Sequence, residues 1–498
     1  VLLSLSYSVV SSEQLQQPLG HDRALGSSDT PVENDDTKPM RERIAVIGAG
    51  SGGSSFSYYA QRYTSHGYDI TIFESNGYIG GRSITVGKYS ASQPSNDVVD
   101  PAVLKSDIEL GGSIFVKANK ILCNAVEEFG LETDDRGVSG KYTEVFSGSI
   151  GVWNGTEFVL RIDGGPWGGF KTFMRILWRY GVSGWRLSRE LKRVISTFLE
   201  YFYNTSFPFK LQSVISQSGL IEYTEIYADK LFKIRDLNDR LGHELIQPLT
   251  QVNYRSALDE IHAMGMLISV AAEDAMSVKG GNYKIFEKWI EYSNATLQLN
   301  TRVESIEKTS RGTWEVGYND TIEEFDQVVI ATPWTFANLT GLGLKVEPVE
   351  YRELHVTYLQ TNVSHLVDHP RFGSNVPESI LTTGKEVPFF SVNIVDYNEE
   401  SGIVRYKIFS NDTIDEQFLA EYLFKDVTGI ELWYAKQWYP YPVLDPVDQF
   451  DPSEPAIGIW YLNGMERFIS TMETSALSGA SVAGWLSQER NTTRICVP

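Results

Sequence analysis

Arg43–Arg82, RIAVIGAGSGGSSFSYYAQRYTSHGYDITIFESNGYIGGR, decides the fold. Arg43–Ile47 is a short apolar run and reads as a buried parallel strand. It leads straight into Gly48-Ala49-Gly50-Ser51-Gly52-Gly53, a complete G-x-G-x-x-G. Ser54–Tyr63 reads as a helix, Ile70–Phe73 as a second strand, and Glu74 closes it. Gly48 permits the tight turn, Gly50 lets the backbone approach a pyrophosphate, and Gly53 lets the helix lie close to the strand. Ser51 and Gly52 fall in the turn that opens the helix, whose free N–H groups and partial positive charge suit phosphates. Glu74 comes about 20 residues after the glycines, where a carboxylate accepts a hydrogen bond from an adenosine ribose. A carboxylate at that point argues against a 2′-phosphate on the ligand.

Gly80-Gly81-Arg82 separates NAD from FAD. Paired glycines and an arginine soon after the ribose acid resemble the flavoproteins with two dinucleotide-binding motifs, the class of amine oxidases and phytoene-desaturase-like enzymes. There the glycines pass under the cofactor and the arginine meets the pyrophosphate. The planar guanidinium is suited to this, because its fork pairs with phosphate oxygens.

The chain has 498 residues, too many for one compact core, so two or more domains are expected. Apolar residues make up 42% and aromatics 12%, enough for a large core and a greasy pocket. A formal charge of −21 disfavours a nucleic-acid partner, which needs clustered positive surface. Val1–Val10 is apolar and is followed by small and polar residues, like the end of a signal-peptide core. Ser11–Met40 is rich in Ser, Asp and Pro and is expected to be disordered. Eight N-x-[S/T] sequons, at Asn154, Asn204, Asn294, Asn319, Asn338, Asn362, Asn411 and Asn491, favour a secretory-pathway lumen and glycosylation. Cys123 and Cys496 are the only cysteines and are expected to be two unpaired thiols. The Cys and His residues show no metal-ligand spacing.

Further along, Ile108–Ser113 (IELGGS) is strand-like and ends in paired glycines that let backbone come close to something flat. Asn119–Phe129 reads as an amphipathic helix. Phe170–Tyr203 reads as one long helical stretch. Its Lys171, Arg175 and Arg179 share a face, and Arg186, Arg189, Lys192 and Arg193 extend the run. A solvated face over a buried apolar one is the ordinary reading; contact with an anionic membrane surface is the functional one. Thr296–Val303, Thr313–Tyr318 and Thr321–Phe325 read as a meander. Phe325–Ala331 reads as a buried strand stopped at Thr332-Pro333, which would return the chain to the cofactor. Val356–Leu359, Phe389–Ile394 and Val404–Phe409 read as a second sheet. Near the C-terminus, Ile459–Glu466 reads as strand then turn, and Thr471–Ala476 opens a helix over Leu477–Trp485. That helix start could point N–H groups at a flavin edge.

Taken together, RIAVIGAGSGG, IGGR, IELGGS, ILWRYG (Ile176–Gly181), QVNY (Gln251–Tyr254), KGGN, VVIATP and WYLNGMERFISTMETSA resemble the prenylcysteine oxidase (prenylcysteine or farnesylcysteine lyase) family from Arg43 to about Trp485. The resemblance implies an α/β fold: an FAD/NAD(P)-binding, glutathione-reductase-like Rossmann domain with an inserted α+β substrate domain. Residues 41–120, 275–335 and 456–490 would form the first; residues 121–274 and 336–455 would form the second, after a leader over 1–40. It implies non-covalent FAD, a prenylcysteine substrate and O2 as acceptor. Hydride would leave C1 of the prenyl group, water would add to the thiocarbenium ion, and the hemithioacetal would collapse to cysteine and prenyl aldehyde, with hydrogen peroxide as the other product.

By position in the motifs, Glu74 would hold the ribose and Arg82, with Gly81, the pyrophosphate. Gly111, Gly112 and Ser113 would line the isoalloxazine. Val303 would meet adenine through its backbone, and Ala331 and Thr332 would border the cofactor. Gly464, Glu466, Met472, Glu473 and Thr474 would reach the ribityl chain and pyrimidine edge. Glu109, Asn253 and Tyr254 are candidate substrate contacts, and no residue is singled out as a general base. The family's degradative role implies a lysosome or vacuole. Two other readings stay open: a flavin amine oxidase or desaturase on the same fold, and a non-catalytic prenyl-binding escort-like protein.

Overall fold

The computed structural model describes residues 41–86, 108–135, 149–162, 175–271, 275–344, 346–384 and 387–488. The expected leader, Asn491 and Cys496 lie outside them.

A parallel five-stranded sheet holds the glycine fingerprint. Its order is Ile459–Tyr461, Gln327–Ile330, Arg43–Ile47, Asp69–Phe73, Thr296–Gln298. Alternation along the strands explains its two covers. Ile44, Val46, Ile70 and Ile72 point into a core with Phe56, Tyr59, Phe286 and Leu477, on the helical side. Ala45, Ile47, Phe73, Val328 and Ile330 point the other way, against Val303, Ile306, Trp314, Val316 and Phe325. Those belong to the meander Val303–Lys308, Trp314–Tyr318 and Thr321–Phe325. A parallel strand covered on both faces must be apolar throughout, which is why RIAVI carries no alternation.

The helix after the fingerprint, Ser51–Arg62, crosses the last helix, Met472–Gln488, at backbone distance. A Cβ on Gly479 would stand 2.3 Å from the carbonyl oxygen of Gly52 and 2.8 Å from the nitrogen of Phe56. Gly53 does the same toward the strand: a Cβ there would lie 2.0 Å from the Gly48 carbonyl oxygen. Ser51 Oγ donates to Met472 O at 2.7 Å, and Ser55 Oγ to Ala476 O at 2.7 Å.

A second sheet has seven strands, ordered Glu431–Pro442, Tyr351–Asn362, Ile403–Ser410, Phe389–Asn398, Ser379–Thr382, Ile150–Trp153, Phe158–Ile162. Its pairs are antiparallel except Ser379–Thr382 with Ile150–Trp153. The helix Gln247–Tyr254, which carries QVNY, leans on this sheet; Tyr441 Oη donates to Val252 O at 3.2 Å.

Three expectations need correction. Thr296–Val303 is two strands. Thr296–Gln298 joins the parallel sheet, Asn300 turns the chain with φ of +53°, and Val303 starts the meander. Phe170–Tyr203 is not one helix. Among described residues it is a helix over 175–180, a turn at Gly181-Val182, the helix Ser183–Leu199 and a π-turn over Glu200–Thr205. Finally, a domain boundary at 121 would cut the helix Lys120–Glu128, whose N-terminus is bonded to Glu473 on the cofactor side.

Asn204, Asn294, Asn319, Asn338 and Asn362 are exposed. Asn154 and Asn411 are half-buried, and Asn411 Oδ1 accepts from Arg255 Nη2 at 3.0 Å. Cys123 is a free thiol, half-buried, and burial pushes its pKa up to about 11.

Gly479→Val is expected to destabilise the fold by about 1–3 kcal/mol, because the helices cannot separate without opening the core beneath them. Thermal unfolding followed by circular dichroism checks this; an unchanged midpoint would show that the crossing tolerates a side chain.

Candidate functional site

One cavity of about 960 Å³ runs between the parallel sheet, the seven-stranded sheet and the helices. Gly48, Gly50, Ser51, Gly52, Glu74, Gly81, Arg82, Gly111, Gly112, Ser113, Val303, Ala331, Thr332, Met472, Glu473 and Thr474 all line it, as do Asn253 and Tyr254. Gly53 lies behind the wall, where it serves helix packing.

The dinucleotide cradle forms because backbone crowds backbone. Gly48 has φ of +112° and a Cβ on it would strike Ala331 O at 2.8 Å. The Gly80-Gly81 turn folds under the fingerprint, with Gly80 N donating to Ala49 O at 3.1 Å. Glu74 is buried and its carboxylate is fixed from the protein side. Ala49 N donates to Oε2 at 2.9 Å, and Asn76 N and Nδ2 donate to Oε1 at 2.8 and 2.7 Å. A carboxylate oxygen has room for more than one donor, so this oriented group can still accept from a ribose hydroxyl.

Arg82 faces the cavity and is held from behind. Its Nη2 pairs with Glu466, its Nη1 donates to Pro440 O at 3.1 Å, and its guanidinium lies 5.8 Å from the Tyr351 ring centroid. Tyr351 Oη also donates to Glu466, and Asn463 Nδ2 does so at 3.0 Å. This corrects the expectation for Glu466 and Gly464: neither lines the cavity, because the short turn Asn463–Arg467 directs the Glu466 carboxylate into the arginine. Glu466 is a positioning residue for Arg82.

Glu473 touches the cavity, but its carboxylate points elsewhere. It accepts from Ile121 N at 2.8 Å and Leu122 N at 3.0 Å, and Tyr203 Oη donates to it. It thereby caps the helix Lys120–Glu128, whose own Asn119 makes no side-chain cap. Burial pushes its pKa up to about 7, against the pull of Tyr203 and the two N–H groups. Glu109 is also off the wall. Its carboxylate accepts from Asn282 N at 2.8 Å, and its carbonyl accepts from Tyr358 Oη at 2.9 Å and Lys407 Nζ at 2.7 Å. The expected substrate contact is therefore a structural brace for the Gly111-Gly112 turn. Asn253 and Tyr254 stay on the wall. Asn253 Nδ2 donates to Leu249 O at 3.0 Å, and Tyr254 Oη donates to Ser470 O at 3.1 Å.

Several wall residues were not anticipated. Trp438 presses on Gly111, where a Cβ would lie 2.5 Å from its Cη2, so a side chain at 111 would clash with the indole. Lys407 donates to both Glu109 O and Leu110 O, which puts a positive charge at the turn expected to meet the flavin. Val194, Ile195, Phe198 and Leu199, from the C-terminal end of Ser183–Leu199, form an apolar stretch of wall. The fit to a dinucleotide has an independent mark: Trp438 Nε1 and Asn463 Oδ1 are buried on the wall without a hydrogen-bond partner. Buried polar atoms of that kind ordinarily have one.

A parallel sheet with a glycine fingerprint, a ribose acid and a second sheet closing the cavity define a dinucleotide-binding flavoprotein, and the cofactor is FAD. A model of the NAD(P)-binding Rossmann-like domain matches residues 46–117, and a model of prenylcysteine lyase matches residues 169–494. The chain belongs to the prenylcysteine lyase family. It is 27% identical to farnesylcysteine lyase of Arabidopsis thaliana, over 92% of this chain and 90% of that protein. It is 25% identical to prenylcysteine oxidase 1 of Homo sapiens, over 89% and 88%. Among solved structures, a putrescine oxidase double mutant matches with a TM-score of 0.60 at 12% identity, covering 91% of this chain and 100% of that one. A putative protoporphyrinogen oxidase from Exiguobacterium matches with a TM-score of 0.58 at 13% identity, over 90% and 99%. At that identity the structures speak to the fold alone.

Glu473 generates a pH prediction. Its folded pKa of about 7 stands above the reference 4.5, so the folded form binds the proton more tightly. That contribution is complete below pH 4.5 and is lost as pH rises toward 7, a change of roughly 3 kcal/mol. Unfolding free energies of wild type and Glu473→Gln, measured across this range, are expected to diverge in favour of the variant as pH rises. Parallel curves would reject the assignment.

Proposed function

We propose that the chain is an FAD-dependent thioether oxidase. It converts S-prenyl-L-cysteine, water and O2 to cysteine, the prenyl aldehyde and hydrogen peroxide. The observation that carries the reading is one cavity whose wall combines a dinucleotide cradle with an apolar stretch, Val194, Ile195, Phe198 and Leu199. A polar amino acid joined to a long hydrocarbon needs such a chamber. FAD supplies the acceptor for the hydride from C1 of the prenyl group and passes the electrons to O2.

The chain's own part is to bind and orient. Glu74 would accept from the ribose, and Arg82, held by Glu466, would meet the pyrophosphate. Val303 would border adenine through its backbone, and Gly111, Gly112 and Ser113 would leave room for a flat ring beside Trp438. Val194, Ile195, Phe198 and Leu199 exclude water from the hydrocarbon and fix its position, so most of the rate comes from placement. Lys407 adds a fixed positive charge, which favours negative charge developing nearby. The hemithioacetal's breakdown asks little acid–base work of the protein, and no residue is singled out as a general base.

We place the protein in a secretory-pathway lumen, in a lysosome or vacuole, as a glycoprotein. The exposed sequon asparagines support this. Glycosidase treatment of protein from its native source is expected to lower its mass; an unchanged mass would remove the support.

The test of the activity is spectroscopic. Purified protein is expected to show visible flavin bands that bleach when farnesylcysteine is added without air. Glu74→Ala is expected to bind FAD about 10- to 100-fold more weakly, the effect of losing a hydrogen bond to a charged group. Bands that bleach with an amine and not with farnesylcysteine would move the reading to amine oxidation. A colourless protein that binds the prenyl compound would make it a binding protein.

A further inference from the structure

The turn between the helix over 175–180 and the helix Ser183–Leu199 is apolar on its outside. Trp178 is 86% exposed, Trp185 62%, Val182 56% and Leu177 42%. Leu177 and Trp178 lie on the first helix, Val182 in the turn and Trp185 in the first turn of the second helix, so all four belong to one exposed corner of the chain. The inward face is apolar as well: Ile176, Tyr180, Leu187 and Leu191 are buried. Beyond the corner the second helix is amphipathic in the ordinary way, with Arg189, Arg193 and Ser196 outside, so the exposed apolar side chains are a local departure confined to Leu177–Trp185. Two neighbouring tryptophans with two aliphatic side chains form a patch of the kind that marks an interaction surface.

We propose that this face docks the protein on a lipid bilayer, with Trp178 and Trp185 seated in the interfacial layer. The occupant is argued from three features. Tryptophan is the side chain that best suits the boundary between headgroups and hydrocarbon. Next, the flanks are basic in a chain of net −21: Arg175, Arg179, Arg186, Arg189, Lys192 and Arg193 lie within this stretch against Glu190. Arg189 stacks over the Trp185 ring at 4.8 Å, while Arg179, Arg186 and Arg193 pair with Glu244, Asp236 and Glu222. Pairing leaves a modest surplus of charge, so apolar insertion supplies most of the binding and anionic lipid adds to it. Finally, one helix joins the patch to the cavity: the helix that carries Trp185 also carries Val194, Ile195, Phe198 and Leu199, which form the apolar wall starting about 14 Å further along its axis, with Val194 and Phe198 on the side away from Trp185. Among the described residues no helix is long and apolar enough to cross a membrane.

The inference deepens the thioether-oxidase reading, since a prenyl substrate partitions into the layer on which this face would sit. Its test uses no turnover. The whole flavoprotein is sedimented with phosphatidylcholine vesicles, with and without phosphatidylserine. Wild type is expected to co-sediment with both, more with phosphatidylserine, and Trp178→Ser/Trp185→Ser to partition at least about tenfold less. Both residues are exposed, so the double variant is expected to keep its thermal midpoint. In wild type, brominated lipid is expected to quench tryptophan emission in proportion to binding, and this needs no variant.

Equal partition of wild type and double variant overturns the proposal, as does binding that moderate salt abolishes. A wild type that ignores vesicles but is a dimer, converted to monomer by the double variant, also overturns it and makes the face an interface between copies. A protein that binds vesicles yet leaves farnesylcysteine untouched rejects the enzymatic reading and retains the docking surface. One that oxidises soluble farnesylcysteine yet ignores vesicles does the reverse.

Discussion

The crossing of Ser51–Arg62 on Met472–Gln488 is the contact on which the site depends. It is made backbone to backbone, through Gly52 and Gly479, and is locked by the hydroxyls of Ser51 and Ser55 on carbonyls of the last helix. This brings the glycine fingerprint and the C-terminal M-E-T-S-A segment to one end of one cavity, though most of the chain lies between them. It also fixes where Glu473 stands, and Glu473 in turn caps Lys120–Glu128. Side chains at the crossing would push three wall elements apart together.

The buried carboxylates share a logic. Glu74, Glu109, Glu466 and Glu473 are almost wholly removed from solvent, which is costly for a charge unless donors compensate. Each has its own donors: N–H groups of Ala49 and Asn76, of Asn282, the Arg82 guanidinium, and the N–H groups of Ile121 and Leu122. Only Glu74 keeps its carboxylate at the cavity with capacity to spare. The others turn the same chemistry inward, holding an arginine, a glycine turn and a helix end where the cofactor needs them.

This division explains what the sequence disclosed. Turn, ribose acid and paired glycines act within a few dozen residues, so their local pattern carried their meaning. Glu466 and Glu473 sit in an equally distinctive local pattern, yet their partners are hundreds of residues away, and no spacing points to Arg82 or Ile121. Thr296–Val303 looked like one strand because the only local mark of the turn is Asn300, a residue type that tolerates the left-handed region but does not require it. The bend wraps Glu74: Glu74 N donates to Gln298 O and Thr301 N to Glu74 O, at 2.9 and 2.8 Å. Lys407 and Trp438 alternate in ordinary-looking strands; only the sheet's placement turns them toward Gly111 and the Leu110 carbonyl.

The second sheet and the helical insert therefore matter less for their own folds than for what they close. A fingerprint alone makes an open cleft, from which a reduced cofactor would react with any solute. Here the strand Glu431–Pro442 lays Trp438 over one glycine turn, and Ser183–Leu199 adds an apolar stretch to the same cavity wall. The polar requirements are met at the cradle and the hydrocarbon requirement at the apolar stretch of the Ser183–Leu199 helix, within one cavity.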